Sequence, residues 1–257
     1  FSSVAAVGFG LTAYPIGAEH GWVSRGAARD RTLSTLRLLV GLPQGPEPSG
    51  RSGHRGFFYH FLDPDTGLRF EKVEISTIDT ALLVAGALFA AGYFDRDDPA
   101  EREIRDLAEG LYRRIDWAWA QNDPPLISMG WHPESGFVRT NWTGYSEGML
   151  VYLLALGSPT HPIGPEAWEA WARSYRLLDF QGQRYVAFAP LFGHHYSHVF
   201  VDFRGIRDAA MRRHGFDYFE NSRRAALAQR SWAIANPRGW RGLDQDVWGI
   251  TACDGPV

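Results

Sequence analysis

Helical segments and irregular loops alternate along the whole chain, and this alternation constrains the fold more than any other feature. Apolar residues recur at helical spacing in about eight segments. The loops between these segments are rich in glycine, proline and aromatic residues, which interrupt regular structure. The predicted helices cover roughly residues 3–22, 24–40, 78–93, 99–120, 145–156, 165–176, 193–203 and 217–235.

Two of the loops carry the signal of a β-hairpin. One spans residues 57–70 around Asp63-Pro64-Asp65-Thr66-Gly67, and the other spans residues 126–138 around Pro133-Glu134-Ser135-Gly136. Pairs of helices followed by a hairpin or an aromatic loop are typical of helical toroids, in which the loops gather at one mouth. The sequence therefore predicts an all-α fold, a helical toroid with short β-hairpins in the loops, and a closed toroid of six helix pairs needs twelve helices. Since fewer helices are visible than six pairs require, either the toroid is incomplete in this chain or the chain forms a smaller helical array.

The composition limits the functional classes. Hydrophobic residues make up 45% of the chain and charged residues 21%, as in globular proteins with a sizeable core. The 26 basic and 29 acidic residues are spread evenly and give a net charge of −3, which argues against a nucleic-acid partner. The single cysteine, Cys253, allows no intrachain disulfide and no thiolate cluster for zinc. The sequence has no apolar run long enough for a transmembrane helix, and its 14% of aromatic residues suits a carbohydrate-binding groove.

Glu147 is the first candidate catalytic residue. It follows a turn rich in aromatic and small residues, and it is predicted to lie in the first turn of an apolar helix, with Trp131, Trp142 and Tyr145 crowding its approach. Aromatic rings stack on sugars, and a half-buried carboxylic acid can keep its proton near neutral pH, so the pattern favours sugar chemistry. The alternative is that Glu147 only interacts favourably with the helix dipole.

Asp79 is the second candidate catalytic residue. It lies in Ser76-Thr77-Ile78-Asp79, a capping box before an apolar helix, so a purely structural role is equally open. Asp79 and Glu147 each begin an apolar helix that follows a hairpin, and in a toroid both would open onto the same mouth. Paired carboxylates across a groove are the minimum machinery for glycoside hydrolysis.

Polar and aromatic residues in the second half of the chain are candidates for substrate binding. His194 and His198 have the i, i+4 spacing of a metal site, but the sequence offers no obvious third ligand, so hydrogen bonding to substrate or structure is favoured over a metal. Asp202 could bind a sugar hydroxyl, orient a histidine or pair with the neighbouring arginine. Glu220 could reach a groove or hold helix ends together, and Trp248 could stack on a sugar or pack in a core.

Five segments, taken together, are similar to those of a known family. They are STIDTALL at 76–83, GYSEGMLVYLLALGSPTHPI at 144–163, PLFGHHYSHVFVDFRG at 190–205, DYFENSRRAALAQRSWAIANP at 217–237 and WGITACDGP at 248–256. In this order they resemble the glycoamylase-like domain family, which includes the bacterial endo-β-1,2-glucanases (glycoside hydrolase family 144) and the related domain of cyclic β-1,2-glucan synthases.

The resemblance implies an (α/α)6 toroid that acts on β-1,2-linked glucans without a metal or an organic cofactor. By position, Glu147 would match the family's general acid, and Asp79 would match the acidic residue proposed as its counterpart. We therefore expect an inverting glycoside hydrolase. The expected substrate-binding residues are Trp131, Trp142, Tyr145, His194, His195, Asp202, Glu220 and Trp248.

The resemblance also sets expectations for the whole protein. Family domains continue past the CDGP segment with further helices, so we expect residues 1–257 to be a single catalytic domain truncated at both ends. We expect a monomeric bacterial protein, periplasmic or secreted, that binds an oligosaccharide or polysaccharide. An exo-acting hydrolase that releases sophorose and a β-1,2-glucan transglycosylase are the alternatives within the enzyme class. A non-catalytic glucan-binding module is the alternative outside it, although such a module would not need both carboxylates, and this chain keeps both.

Overall fold

The computed structural model describes residues 1–252, and Cys253 lies outside the described residues. The helices are α1 (Val4–Glu19), α2 (Arg25–Gly41), α3 (Thr77–Tyr93), α4 (Pro99–Arg113), α5 (Met149–Leu156), α6 (Glu166–Arg173), α7 (Phe192–Phe200), α8 (Ala209–His214) and α9 (Tyr218–Ala235). The strands are short: β1 (Ser2–Ser3), β2 (Gly53–His54), β3 (Phe57–Phe58), β4 (Phe61–Leu62), β5 (Ile75–Ser76), β6 (Gly130–His132), β7 (Gly136–Phe137), β8 (Leu177–Phe180) and β9 (Gln183–Val186). The predicted mostly helical class with short hairpins is confirmed, and the toroidal arrangement stays a prediction.

The chain forms two compact units. The first comprises Phe1–Trp142 and Leu150–Ala167, and the second comprises Thr143–Met149 and the chain from Trp168 onward. Asp79 therefore belongs to the first unit and Glu147 to the second. A single domain over residues 1–257 stays a prediction.

The first unit is built around α3, whose side chains are buried along most of the helix. Helix α1 packs against α3 so closely that glycines replace side chains at the contact. A Cβ atom added at Gly8 would collide with the backbone of Leu82, and one added at Gly86 would collide with the backbone of Gly8. The contact therefore depends on the absence of side chains at both glycines.

Serine N-caps begin three helices of the first unit. The hydroxyls of Ser3, Ser24 and Ser76 accept backbone N–H groups in the first turns of α1, α2 and α3 at 3.1–3.3 Å. Helices α2 and α4 are joined by Arg25, whose guanidinium donates to both carboxylate oxygens of Glu101 (2.9 and 2.8 Å). Capping thus fixes where these helices start, and one partly buried ion pair fixes how α2 and α4 meet.

The strand pairing confirms one predicted hairpin and changes the other. Strands β6 and β7 form the hairpin predicted at 126–138, and β6 also pairs antiparallel with β5. At 57–70 the turn forms, but β4 pairs with β1 and meets the returning chain at an isolated bridge between Leu62 and Arg69. The Asp63 N–H donates to the carbonyl of Leu68 (2.8 Å) and the Phe70 N–H donates to that of Phe61 (3.0 Å), so a short hairpin ladder forms around this bridge.

Two helix boundaries differ from the prediction for local reasons. Helix α4 ends at Arg113, and the N–H of Asp116 donates instead to the carbonyl of Arg55 (3.0 Å). Helix α5 begins at Met149 because Gly144 has φ 72° and the Ser146 hydroxyl accepts the Gly148 N–H (3.2 Å), which closes a turn before the helix. The placement of Glu147 in the first helical turn was therefore wrong, since Glu147 lies in the turn that precedes α5.

The second unit joins α9 to the β8–β9 hairpin, whose first strand the sequence did not reveal. The side-chain oxygen Oδ1 of Asn221 accepts the N–H of Val186 (2.7 Å), and Tyr185 packs with Ala225 and Ala228 in a buried cluster. The side chain of Asp217 caps α9, and the helix ends where Asn236 takes a left-handed conformation with φ 37°. The predicted limits of this helix are confirmed.

The contact between α1 and α3 leads to a stability prediction. Gly8→Ala is expected to lower the free energy of unfolding by about 1–3 kcal/mol, because the added methyl group must displace the backbone of α3. Gly10→Ala in the same helix is the control, since a Cβ there meets nothing within 4 Å. The control should be neutral or stabilising by up to about 1 kcal/mol. Urea unfolding of the two variants checks this, and equal stability of both would contradict it.

Candidate active site

Asp79 lies in the first turn of α3 and is 8% exposed. The hydroxyl of Ser76 accepts the backbone N–H of Asp79 (3.2 Å) and donates to its carboxylate. The predicted capping interaction is therefore present. Burial raises the pKa of Asp79, because the ionised carboxylate loses hydration there. Asp79 thus combines a structural role with the tuned acidity that is typical of catalytic carboxyl groups.

His60 lies between Asp79 and a second carboxylate. Its Nδ1 is 3.0 Å from Oε1 of Glu74, and its Nε2 is 3.6 Å from Oδ2 of Asp79. The hydrogen bond to Glu74 raises the pKa of His60, and the same bond lowers the pKa of Glu74. The charge of His60 partly opposes the effect of burial on the pKa of Asp79. Neither His60 nor Glu74 was predicted as a site residue.

Two of the predicted aromatic residues contact the segment that carries Asp79. Trp142 donates from Nε1 to the hydroxyl of Thr77 (2.9 Å) and is 6% exposed. Trp131 is half-buried in β6, where it pairs with Ile75 of β5, and its ring stacks on His54 with the centroids 5.1 Å apart. Trp142 therefore supports the start of α3, whereas Trp131 keeps partly accessible ring surface beside it.

Trp119 extends this group of aromatic rings and was not predicted. Its ring lies 5.7 Å from Trp131, 4.8 Å from Phe137 and 5.4 Å from His54. Trp119 follows the end of α4, in a segment that the sequence pattern assigned to that helix. Its ring partners Trp131 and Phe137 are brought together by the pairing of β6 with β7, which the spacing of residues along the sequence does not indicate.

Glu147 is half-buried in the turn before α5. The N–H of Gly144 donates to the hydroxyl of Ser174 (2.6 Å), and the carbonyl of Ser146 accepts the N–H of Met149 (3.2 Å). These bonds hold the backbone on both sides of Glu147. The carboxylate is therefore carried by a well-supported turn rather than by a mobile loop.

Tyr145 packs inside the second unit with 2% of its surface exposed. Its hydroxyl lies 3.3 Å from Oγ of Ser222, which in turn lies 3.0 Å from Nε2 of His198. Its ring contacts His194 with the centroids 4.9 Å apart, and burial raises the pKa of Tyr145 to about 12. The structure gives Tyr145 a packing role, and its stacking on a sugar stays a prediction.

The neighbouring histidines of α7 differ in exposure. His194 is fully buried, its Nε2 lies 3.1 Å from the carbonyl oxygen of Phe188, and burial lowers its pKa to about 4. It is therefore neutral at neutral pH, and Nε2 carries the proton that is donated to the carbonyl. His195, one residue further along the helix, is exposed and accessible to a ligand.

The remaining predicted binding residues are exposed or half-buried. Asp202 forms a two-point ion pair with Arg204 (2.8 and 2.7 Å), which lowers the pKa of Asp202 to about 2. Glu220 accepts from Arg223 and Arg224 of its own helix. Asp202 thus has the arginine partner that was one alternative to sugar binding, and the arginine partners of Glu220 belong to α9 itself. Trp248 is 39% exposed.

Residues 1–252 contain neither a metal-binding cluster nor a membrane-spanning helix. In this part of the chain, no group of three or more His, Cys, Asp or Glu side chains is arranged to hold a metal ion. Over the same residues, no helix is long and apolar enough to cross a membrane.

Comparisons with known proteins point to one family. Residues 139–257 match the Glycoamylase family model, whose description is "Putative glucoamylase". A curated relative, the exo beta-1,2-glucooligosaccharide sophorohydrolase (non-reducing end) of Parabacteroides distasonis, is 27% identical over 98% of this chain. The resemblance to the glycoamylase-like family is confirmed.

Solved structures of related proteins superpose on nearly the whole chain. One with the same description as the family model, from Bacteroides uniformis, has a TM-score of 0.87 and 27% identity over 99% of this chain. The endo-beta-1,2-glucanase of Chitinophaga pinensis, in complex with sophorotriose and glucose, has a TM-score of 0.85 and 26% identity over 97%. The chain spans 62% and 60% of the length of these two structures and 38% of the curated relative.

The raised pKa of Asp79 leads to a prediction about stability and pH. The folded protein holds this proton more tightly than the unfolded chain does, so the contribution of Asp79 to stability falls as pH rises above its ordinary pKa of 3.8. Asp79→Asn removes this penalty. The variant should therefore gain stability relative to wild type between about pH 4 and pH 6, below the range in which His60 loses its proton.

Urea unfolding across this pH range measures the difference. Asp63→Asn is the matched control, because a backbone hydrogen bond from Thr66 lowers the pKa of Asp63 and gives the opposite pH dependence. A pH-independent difference between Asp79→Asn and wild type would show that burial does not disfavour the Asp79 anion.

Proposed function

We propose that this protein is a glycoside hydrolase that cleaves β-1,2-glucan or its oligosaccharides with inversion of the anomeric configuration. Glu147 is the general acid, and Asp79 is the general base that directs a water molecule, either directly or through a relay. We propose further that the chain forms part of an (α/α)6 toroid in a monomeric enzyme that is periplasmic or secreted. The names of the relatives support the substrate class.

The observation that carries the catalytic part of the proposal is the environment of Asp79. Burial favours its neutral form, while Ser76 and His60 favour its anion. These opposing effects tune the carboxyl toward the pH at which it works, which is how enzymes prepare carboxylates for proton transfer. A carboxylate whose role was only to cap a helix would not need an imidazole beside it.

The role of Glu147 rests on its half-buried position and on its place in the family. The match to the Glycoamylase model covers residues 139–257 and includes Glu147. A general acid must carry a proton when substrate binds, and a bound glucan that expels water would favour the neutral carboxyl by desolvation. The start of α5 favours the anion instead, and we propose that desolvation is the larger effect.

The proposed sugar-binding residues differ in how much of their side chain is exposed to solvent. Trp131, Trp248 and His195 keep exposed surface, so we propose that they touch the glucan directly. Asp202 and Glu220 would bind sugar hydroxyls with the oxygen lone pairs that their arginine partners leave available. The buried candidates would contribute through packing rather than through direct contact with the sugar. They are Trp142, Tyr145 and His194.

Exo action with release of sophorose is the second candidate function. The curated relative is named an exo-acting sophorohydrolase, whereas one of the solved structures is named an endo-beta-1,2-glucanase. Both relatives resemble this chain at 26–27% identity, so the exo and endo forms are two variants of one proposed activity.

Glu147→Gln tests the general acid. The amide keeps the shape and most hydrogen bonding of the side chain but cannot donate the proton, so turnover of β-1,2-glucan by the full-length protein should fall about 10²–10⁴-fold with binding retained. Steady-state kinetics and oligosaccharide titration check this side by side.

Glu169→Gln in α6 is the control, since Glu169 is an exposed carboxylate that pairs with Arg173 of its own helix. It should leave turnover unchanged. Near-normal turnover of Glu147→Gln would contradict the assignment, and the favourable interaction of Glu147 with the dipole of α5 would then be its only role.

The products test the mechanism and separate the two candidate functions. An inverting cleavage of a β-linkage places the new reducing end first in the α-anomer, which proton NMR detects before mutarotation. Initial formation of the β-anomer would contradict inversion. Sophorose as the sole early product would establish exo action, and a range of oligosaccharides would establish endo action.

A further inference from the structure

The imidazole of His60 lies between two carboxylates, and the proposed acid and base steps give it no role of its own. Nδ1 is 3.0 Å from Glu74 Oε1, and Nε2 is 3.6 Å from Asp79 Oδ2. A neutral imidazole has a single N–H and can donate to one of these oxygens only. The imidazolium has two N–H groups and is attracted to both carboxylates. The geometry therefore favours a positively charged His60.

Backbone contacts hold this arrangement in place. The N–H of His60 donates to the carbonyl of Glu74 (2.9 Å), and the preceding residue, Tyr59, forms a β-bridge with Ile75. The ring of Phe61 stacks on His60 with the centroids 4.0 Å apart. The imidazole is thus fixed to the same strand, β5, that leads into the first turn of α3.

We propose that His60 is a positioning residue for Asp79, and that Glu74, His60 and Asp79 form a carboxylate–imidazolium–carboxylate relay that holds the base of the proposed hydrolase ionised and oriented. This inference rests on the proposed role of Asp79 as the base. The three side chains of the relay differ in their exposure to solvent. The side chains of Glu74 and His60 are 32% and 35% exposed, whereas that of Asp79 is 11% exposed. The positive charge that stabilises the Asp79 anion therefore lies on His60, which is better hydrated than Asp79.

Other charged groups border the relay on the Glu74 side. His132 acts electrostatically on Glu74, and its Nδ1 lies 3.4 Å from the guanidinium of Arg69. Arg69 in turn binds Glu134 (2.7 Å). The groups that act on Asp79 are His60, Ser76 and Glu74. His60 is the cationic neighbour among these three, so its removal should act directly on the ionisation of Asp79.

The relay has a defined consequence for the pH dependence of catalysis. A general base must be ionised, and burial without a cation would raise the pKa of Asp79 further. The positive His60 therefore extends activity to lower pH. Removing that charge should move the acidic limb of the pH profile of kcat/KM to higher pH by about one unit, a modest shift because His60 is partly exposed.

His60→Gln in the full-length protein is the direct test. We expect the acidic limb to move upward and kcat to fall more than KM rises, since Asp79 acts on the water rather than on substrate binding. His60→Lys restores a positive charge without the ring and should return the limb most of the way to its wild-type position. His161→Gln is the matched control, because the carboxylate beside His161 is that of Asp116.

The titration of His60, followed by NMR of its ring nitrogens, gives a readout that does not depend on activity. The pKa of His60 should fall in Glu74→Gln, which removes the hydrogen-bond acceptor, and also in Asp79→Asn, which removes the second anion. His161→Gln should leave it unchanged. The measurement also shows whether the variants remain folded, since a protein that has lost its fold loses the dispersion of its histidine signals.

The outcomes separate this inference from the proposed function. An unmoved acidic limb in His60→Gln, together with an inactive Asp79→Asn, would overturn the relay and leave Asp79 as the base. Turnover of Asp79→Asn close to that of wild type would overturn the base assignment, and a His60 titration that is the same in Asp79→Asn and wild type would overturn the coupling independently.

Discussion

The capped first turn of α3 joins the parts of the first unit on which its fold depends. Ser76 is the last residue of β5 and the N-cap of α3, and its hydroxyl contacts both the backbone N–H and the carboxylate of Asp79. The next residue, Thr77, accepts a hydrogen bond from Trp142 and donates to the carbonyl of Ser128 (2.9 Å). Two consecutive residues, Ser76 and Thr77, therefore connect strand β5, helix α3 and the loop that carries Trp142. Asp79, the candidate base, is hydrogen-bonded directly to Ser76 at this junction, so its position depends on the same contacts that hold the fold.

The burial of Asp79 costs stability when its carboxylate is ionised, but it also tunes the acidity of that carboxyl group. A buried carboxylate without partners would be strongly unfavourable, and the structure supplies a hydroxyl and an imidazole on one side of Asp79. The remaining bias toward the neutral form persists as a raised pKa. A helix cap alone would be served as well by an uncharged residue. The retained charge is better explained by proton transfer, for which a carboxyl tuned between two states is useful.

The second unit contributes a different kind of support to the proposed activity. The match to the Glycoamylase family model, residues 139–257, covers the sequence of this unit together with the Leu150–Ala167 segment of the first unit. Within it, Tyr145 and His194 are buried, while His195 and Trp248 are exposed. The polar and aromatic residues of this unit that were predicted to bind substrate are therefore of two kinds. One kind packs in the interior of the unit, and the other is accessible to a ligand.

The sequence by itself determined the features that depend on neighbouring residues. Helices α3 and α9 were predicted at nearly their observed limits, because apolar periodicity and the caps Ser76 and Asp217 are local signals. The β6–β7 hairpin followed from its turn residues in the same way. Asp79 and Glu147 were identified as candidates because a carboxylate before an apolar helix is visible in sequence.

Only the tertiary structure decided which side chains are buried and which of them meet. The start of α5 was predicted too early, since the turn around Gly144 and Ser146 is closed by contacts that apolar periodicity does not report. His60 was not recognised because its neighbours Glu74 and Asp79 are brought to it by strand register and helix capping, not by spacing along the chain. Burial of Tyr145 and His194 likewise depends on how α7 and α9 pack. A pKa follows from desolvation and from charges within a few ångströms, and both are properties of the folded surroundings rather than of the residue.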